Sequence, residues 1–136
     1  MNFKPKRIKD KLEVLKTDPF AAVKLCVHIT KKRWPAAEPY IMKEPDCAYL
    51  YCLEILKERW PEAEPYILKN PSTALYYAAY IIQGEWPEVE PLLINDPNRA
   101  FGYAVYVLRK RWPEAEKTIK KIPANYTEYK QMFNIL

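Results

Sequence analysis

Trp34, Trp60, Trp86 and Trp112 are each followed by proline, and each stands 26 residues beyond the one before. Pro19, Pro45, Pro71, Pro97 and Pro123 keep the same interval. A short period of this kind marks stacked supersecondary units, because one such unit cannot bury its apolar face alone and must pack on copies of itself. The spacing defines four repeats, residues 18–43, 44–69, 70–95 and 96–121. Residues 1–17 form an N-terminal cap helix and residues 122–136 a C-terminal cap helix of a single helical-repeat domain. With 13 prolines and only 2 glycines the composition looks hostile to helices, yet at this spacing most of the prolines stand at helix starts.

Each repeat reads as two helices. The first opens on a capping residue and proline: Asp18-Pro19, Asn70-Pro71, Asp96-Pro97 and, less well suited, Glu44-Pro45. Counting positions from that residue, position 5 is always alanine (Ala22, Ala48, Ala74, Ala100). Position 8 is Leu25, Tyr51, Tyr77 and Tyr103; position 9 is Cys26, Cys52, Ala78 and Ala104; position 12 is Ile29, Ile55, Ile81 and Val107. Offsets of 3, 4 and 7 place these on one buried helical face, and positions 6 and 13 widen it. Gly84 is the expected helix stop of the third repeat.

The second helix begins at Trp-Pro, with apolar residues at offsets 0, 3 and 7 and with Glu62 and Glu64 in the first turn of the second repeat, where the helix dipole favours negative charge. A further proline (Pro39, Pro65, Pro91) would remove a backbone bond from a regular helix. The Trp-Pro-Glu-Ala-Glu stretch is therefore expected to be a turn or kinked start, with the regular helix beginning near the second proline. The fourth repeat has Lys117 there. Residues 3–16, with Ile8, Leu12 and Leu15 at helical spacing, read as a leading half-repeat. The tail starts like a first helix but carries Tyr126 at the small position and Lys130 and Gln131 after it, as an end cap with a polar outer face should.

The stretches RWPAAEPYIMK (33–43), RWPEAEPYILK (59–69), EWPEVEPLLIN (85–95) and RWPEAEK (111–117) resemble the short WPEAEP-type tandem repeats found in proteins of tailed bacteriophages and some large viruses. The resemblance spans about residues 18–121. It implies a viral origin and an α-helical repeat fold similar to HEAT or TPR arrays, and it brings no catalytic residue with it.

Residue types that carry chemistry are sparse. His28 is the single histidine and falls away from the core stripe, so His-pair zinc motifs and Ser-His-Asp sets have nothing to stand on. Cys26 and Cys52 alternate with alanine at position 9, which reads as small core residues, and Cys47 shares no metal-ligand spacing with them; all three are expected as free thiols. Glu38, Glu64, Glu90 and Glu116 recur once per repeat. An acid–base array is one reading; the better one is a role that every repeat shares, at a helix start, in a turn contact or in a pair with the arginine before tryptophan (Arg33, Arg59, Arg111). The tryptophans are expected to pack repeat on repeat, and Gly84 and Gly102 form no phosphate-cradling loop. No catalytic, cofactor or metal site is expected.

Variable surface positions are where a repeat protein recognises a partner. Positions 3, 7, 11 and 14 of the first helix should face solvent, and there Leu50, Tyr76, Tyr80 and Tyr106 are apolar or aromatic, with Arg109 at position 14. These five are the candidate partner-binding residues. The competing reading rotates the arc by one position and buries them against second helices or in a dimer. Charge is uneven: net +4 in residues 1–17, +3, −3, −3 and +4 in the four repeats. Lys4, Lys6, Arg7, Lys9 and the Arg109-Lys110-Arg111 run make two basic ends, but the acidic middle interrupts the continuous basic groove a phosphate backbone needs.

The sequence thus describes an all-α, right-handed-type α-solenoid of about four and a half short helix–turn–helix repeats. Its expected function is a non-enzymatic, phage-encoded protein-interaction module that binds a host protein, in the host cytoplasm and without a cofactor. No apolar run approaches the roughly 18 residues of a membrane span, and residues 1–16 lack the apolar stretch of a signal peptide. Nucleic-acid binding is the alternative, and a self-assembling virion component, hence a homo-oligomer, is the third.

Overall fold

The computed structural model describes residues 5–136, with side chains from residue 9 onward. Phe3 and Lys4, and the side chains of Lys6, Arg7 and Ile8, lie outside the described residues. Among the described residues every regular element is helical, and the helices follow the 26-residue period as helix–turn–helix repeats. None is long and apolar enough to cross a membrane. The chain divides into two compact units, Met1–Ile67 and Leu68–Leu136.

In the first unit, the helix Pro5–Lys16 packs on Pro19–Leu25, which in turn packs on the short helix Glu38–Ile41 and on Pro45–Tyr51. Glu64–Ile67 closes the unit against Pro45–Tyr51. Ala22, Cys26, Ala48 and Cys52 are completely buried along the facing first helices, and Ala37, Ile41, Ala63 and Ile67 supply the second-helix side of the core. In the second unit, Pro71–Tyr77 packs on Pro97–Gly102, and Pro113–Ile119 and Pro123–Met132 cover the latter. Ala74, Ala78, Ala100 and Ala104 repeat the small buried stripe there. Small side chains at these positions let helix backbones approach closely.

Capping follows the residue types. Asp18 accepts from the Ala21 N–H, Asn70 from Ser72 and Thr73, and Asp96 from Arg99, each with proline next in the chain. Glu44 makes no such bond. Where a second proline is present the Trp-Pro segment is a turn, with α-helix over Glu38–Ile41 and Glu64–Ile67, or a 3₁₀ turn, Pro87–Val89, leading into Glu90–Leu93. With Lys117 in its place, one continuous helix runs over Pro113–Ile119. The missing N–H of the second proline is thus what breaks the start of the second helix.

Every first helix ends in a way that periodicity did not show. After about two α-turns it widens into a π turn: Cys26–Thr30, Cys52–Leu56, Ala78–Ile82 and Tyr103–Leu108. Each is followed by a residue in the left-handed region, Lys31 (φ 58°), Lys57 (59°), Gln83 (59°) and Arg109 (54°). The N–H of that residue donates to the carbonyl five residues back, at 2.8, 2.7, 2.8 and 2.8 Å. Gln83, not the expected Gly84, is therefore the stop of the third repeat, and Gly84 has no positive φ. The extra residue per turn also shifts the buried face. Position 12 is buried only at Val107, half-buried at Ile55 and Ile81, and at Ile29 it is 72% exposed.

A left-handed residue with a Cβ is disfavoured by roughly 1–2 kcal/mol. Lys57→Gly is therefore expected to stabilise the chain by about 0.5–1 kcal/mol, the relief being partly offset by glycine's greater unfolded-state entropy, whereas Lys57→Val should destabilise it by about 1–2 kcal/mol. Urea denaturation of the two variants measures both signs.

Candidate interaction surface

The recurring Trp, Arg and Glu build a hydrogen-bonded frame. Arg33 forks Glu38, Nε to Oε2 at 2.9 Å and Nη2 to Oε1 at 2.8 Å. Arg59 forks Glu64 at 2.8 Å twice, and Arg111 forks Glu116 at 2.9 and 3.0 Å. The carboxylate is then met by a tyrosine hydroxyl of the following repeat: Tyr51 donates to Glu38 at 2.6 Å, Tyr103 to Glu90 at 2.8 Å and Tyr129 to Glu116 at 2.9 Å. The same hydroxyl accepts from a tryptophan backbone N–H, that of Trp34 (2.9 Å), Trp86 (3.0 Å) and Trp112 (2.7 Å) respectively. The tryptophan rings meet a tyrosine of their own repeat, with ring centres 5.4 Å apart for Tyr51 and Trp60, 5.2 Å for Tyr77 and Trp86, and 5.1 Å for Tyr103 and Trp112. These three ring contacts lie within a repeat, while the tyrosine hydroxyl reaches the preceding repeat through the tryptophan N–H and the glutamate together.

This frame sets the protonation of its members. The Arg33 fork holds the Glu38 carboxyl below its ordinary value, against the opposing effect of burial and with help from Tyr51; Arg111 does the same for Glu116. Burial pushes the hydroxyls of Tyr51 and Tyr103 upward and that of Tyr129 up to about 12. Burial likewise raises Cys26 and pushes Cys47 and Cys52 up to about 12, so all three buried, free thiols are protonated near neutral pH and poor nucleophiles. Among the described residues no group of three or more His, Cys, Asp and Glu is placed to hold a metal ion.

The surface residues picked from the repeat pattern fall on two grooves. In the first unit Leu50 lines a groove of about 530 Å³ with Phe20, Val23, Lys24, His28 and Cys47. Leu50 is 38% exposed and Phe20 60%. In the second unit Tyr76, Tyr80 and Tyr106 surround a groove of about 310 Å³ together with Leu75, Ala79, Arg99 and Gly102. These tyrosines are 54, 57 and 63% exposed, and the Tyr76 and Tyr80 rings lie nearly parallel (16°) with centres 6.3 Å apart. They stand one helical turn apart, Tyr76 on the α segment and Tyr80 on the π turn. Gly102 occupies the position taken by Lys24, Leu50 and Tyr76 in the other repeats. Its missing side chain leaves the floor open, and a Cβ there would stand 3.4 Å from Leu75 Cδ2.

Arg109 is not among the walls of this groove, because its left-handed backbone carries it off the helix. The guanidinium in the groove belongs to Arg99, which the sequence reading passed over. It donates to Ser72 Oγ from Nε (3.1 Å) and Nη2 (2.9 Å) and from Nη1 to Asp96 at 3.1 Å. The signal for it was present: position 4 is Ala21, Cys47 and Thr73 elsewhere, and a long charged residue at a small position needs a partner close by.

The fold and its surface define a class, an all-α helical-repeat protein with scaffold positions shared by all repeats and variable first-helix positions. No protein-family model, no curated protein and no solved structure matches the chain.

The frame makes stability pH-dependent at both ends. Carboxyls lowered by folding stabilise the chain above their unfolded value near 4.5, and that contribution disappears as pH falls through the lower folded value. Tyrosines raised by folding stabilise it below 10.0, and theirs is lost as pH rises toward the folded value, about 12 for Tyr129. A plateau in unfolding free energy between about pH 5 and pH 9.5 is expected in a denaturant series, with Tyr129→Phe making the alkaline fall shallower.

Proposed function

We propose that this chain is a non-catalytic protein-binding module whose contact surface is the variable face of its first helices, with Tyr76, Tyr80 and Tyr106 as anchors in the second unit and Leu50 at the corresponding face of the first. The observation that carries the reading is the exposure of three tyrosines around one open groove. Each of the three is more than half exposed, and large rigid rings with a polar tip are the side chains that dominate protein interfaces. The resemblance of the repeat to those of tailed phages makes a host protein the expected partner, met in the host cytoplasm. The commitment of the recurring glutamates and arginines to the frame, and of the thiols to the core, supports a binding rather than a catalytic role.

Affinity capture from host lysate with the wild-type chain and a Tyr76→Ala/Tyr80→Ala/Tyr106→Ala variant tests this. The three side chains are exposed, so the variant should keep its helical signal and melting temperature. Loss of at least tenfold in captured partner is expected, the effect of removing one strong anchor. An unchanged partner list would take this face out of consideration. Salt-dependent retention of RNA or DNA in a low-salt gel shift would move the reading to nucleic acid.

A further inference from the structure

The residue before tryptophan is Arg33, Arg59, Glu85 and Arg111 in the four repeats. In three of them the guanidinium forks the glutamate five residues on. In the third repeat an acidic residue stands in its place, and among the described residues no cation pairs with Glu90. Glu90 keeps the hydroxyl of Tyr103 on Oε2 at 2.8 Å. That bond does not occupy the fork: Tyr51 and Arg33 serve Glu38 together, and so do Tyr129 and Arg111 on Glu116. Glu85 itself turns to Lys110, at 3.4 Å, with both side chains more than half exposed.

The vacancy opens on a cleft. In the first unit a cleft of about 490 Å³ runs past Arg33, Glu38, Pro35, Pro39 and Trp60, and Arg33 fills its wall. The corresponding cleft of the second unit, about 510 Å³, runs past Glu85, Glu90, Pro87, Pro91 and Trp112, with Glu114 at its side and with Lys110, on Glu85, and Arg111, on Glu116, also in its wall. The two walls share prolines, a tryptophan and a glutamate, and each keeps the arginine before that tryptophan (Arg59, Arg111), but Glu85 and Lys110 stand where the first cleft has Arg33 and Glu58, so the guanidinium that forks Glu38 has no counterpart at Glu90.

We propose that this cleft takes an arginine side chain of a partner polypeptide, whose guanidinium forks Glu90 as Arg33, Arg59 and Arg111 fork their own glutamates, with Glu85 as a second acceptor. Arginine fits where lysine does not, because two parallel N–H groups match the two carboxylate oxygens in one plane, whereas an ammonium meets them as a point charge. A residue within a chain fits better than free arginine, because it brings no α-carboxylate to a cleft that already holds three carboxylates, Glu85, Glu90 and Glu114, against two cations, Lys110 and Arg111. The site is separate from the tyrosine face and stands without it.

The probe is a blocked Gly-Arg-Gly peptide titrated into the ¹⁵N-labelled full chain at low salt, with blocked Gly-citrulline-Gly, blocked Gly-Lys-Gly and free arginine alongside. Saturable shifts of the Glu85, Glu90 and Tyr103 amides are expected with the arginine peptide. They should be at least tenfold weaker with the lysine peptide and free arginine and absent with citrulline, which keeps the shape and loses the charge. Glu90→Gln should weaken binding at least tenfold. Glu85→Arg, which supplies the missing guanidinium from within, should abolish binding and raise the melting temperature, while the triple tyrosine variant should bind the peptide unchanged. Equal shifts with citrulline, or binding that survives Glu85→Arg or Glu90→Gln, would overturn the proposal, as would the absence of saturable binding in the wild-type chain.

Discussion

A buried phenol hydroxyl must find both a donor and an acceptor, and in this chain it finds them in the preceding repeat. Tyr51, Tyr103 and Tyr129 each reach back 17 residues to a tryptophan N–H and 13 residues to a glutamate. The N–H needs such a partner because the left-handed residue has already released the chain from the helix and proline follows at once, so no helical carbonyl is in range. The carboxylate needs it because it is largely withdrawn from water and the arginine fork leaves lone pairs over. One hydroxyl meets both needs, which makes the interval between repeats stiff. One inserted residue between a tryptophan and the next tyrosine would leave a donor, an acceptor and a hydroxyl unpaired at once.

The first repeat and residues 122–136 follow from the same requirement. Position 8 of the first repeat is Leu25, where residues 1–17 hold no Trp-Pro and their one glutamate, Glu13, is paired with Lys16. The tail abandons the first-helix pattern at Tyr126 and Lys130 but keeps Tyr129, since Trp112 and Glu116 precede it. Tyr126 itself stacks near Tyr129, with Lys120 and Lys130 about its ring, a polar cover over the last aromatic layer. A tyrosine at this position is thus found where the preceding repeat has something for its hydroxyl to bind.

What could be read from residues alone divides along a physical line. The caps, the alanine stripe, the broken start of the second helices and the Arg–Glu pairing depend on local stereochemistry or on strict recurrence, and both are written in the spacing. The π turns are not, because widening a helix by one residue changes no residue type; a long apolar stretch is compatible with either winding. Missing them placed Ile29 on a buried face and made Gly84 the stop, when Gln83 takes the left-handed turn despite its Cβ. The same omission put Arg109 on the tyrosine face, since position 14 stays on the arc only if the α-helix continues that far. Tyr76 lies on the α segment, where α periodicity holds, whereas Tyr80 and Tyr106 lie within the π turns and are exposed there as well.

The grooves show how one frame carries different chemistry. Position 3 of one repeat and position 4 of the next meet across the first helices: Phe20 with Cys47 in the first unit, Ser72 with Arg99 in the second. An apolar pair in one place and a hydrogen-bonded pair in the other satisfy the same geometry, so the contact constrains the pair and not either residue. Arg99 is tolerable at a position that is small elsewhere only because Ser72 replaces a phenylalanine and Asp96 lies one turn away. The exchange of Arg for Glu at position 85 has the same form, with Lys110 standing where the first unit has Glu58, so the neighbouring charge is inverted in step. Only the first partner of such a pair is compensated, however. Among the described residues no cation pairs with Glu90, so its carboxylate meets the open cleft with the Tyr103 hydroxyl as its side-chain partner, and the bidentate pairing that the other three glutamates gain is forgone there.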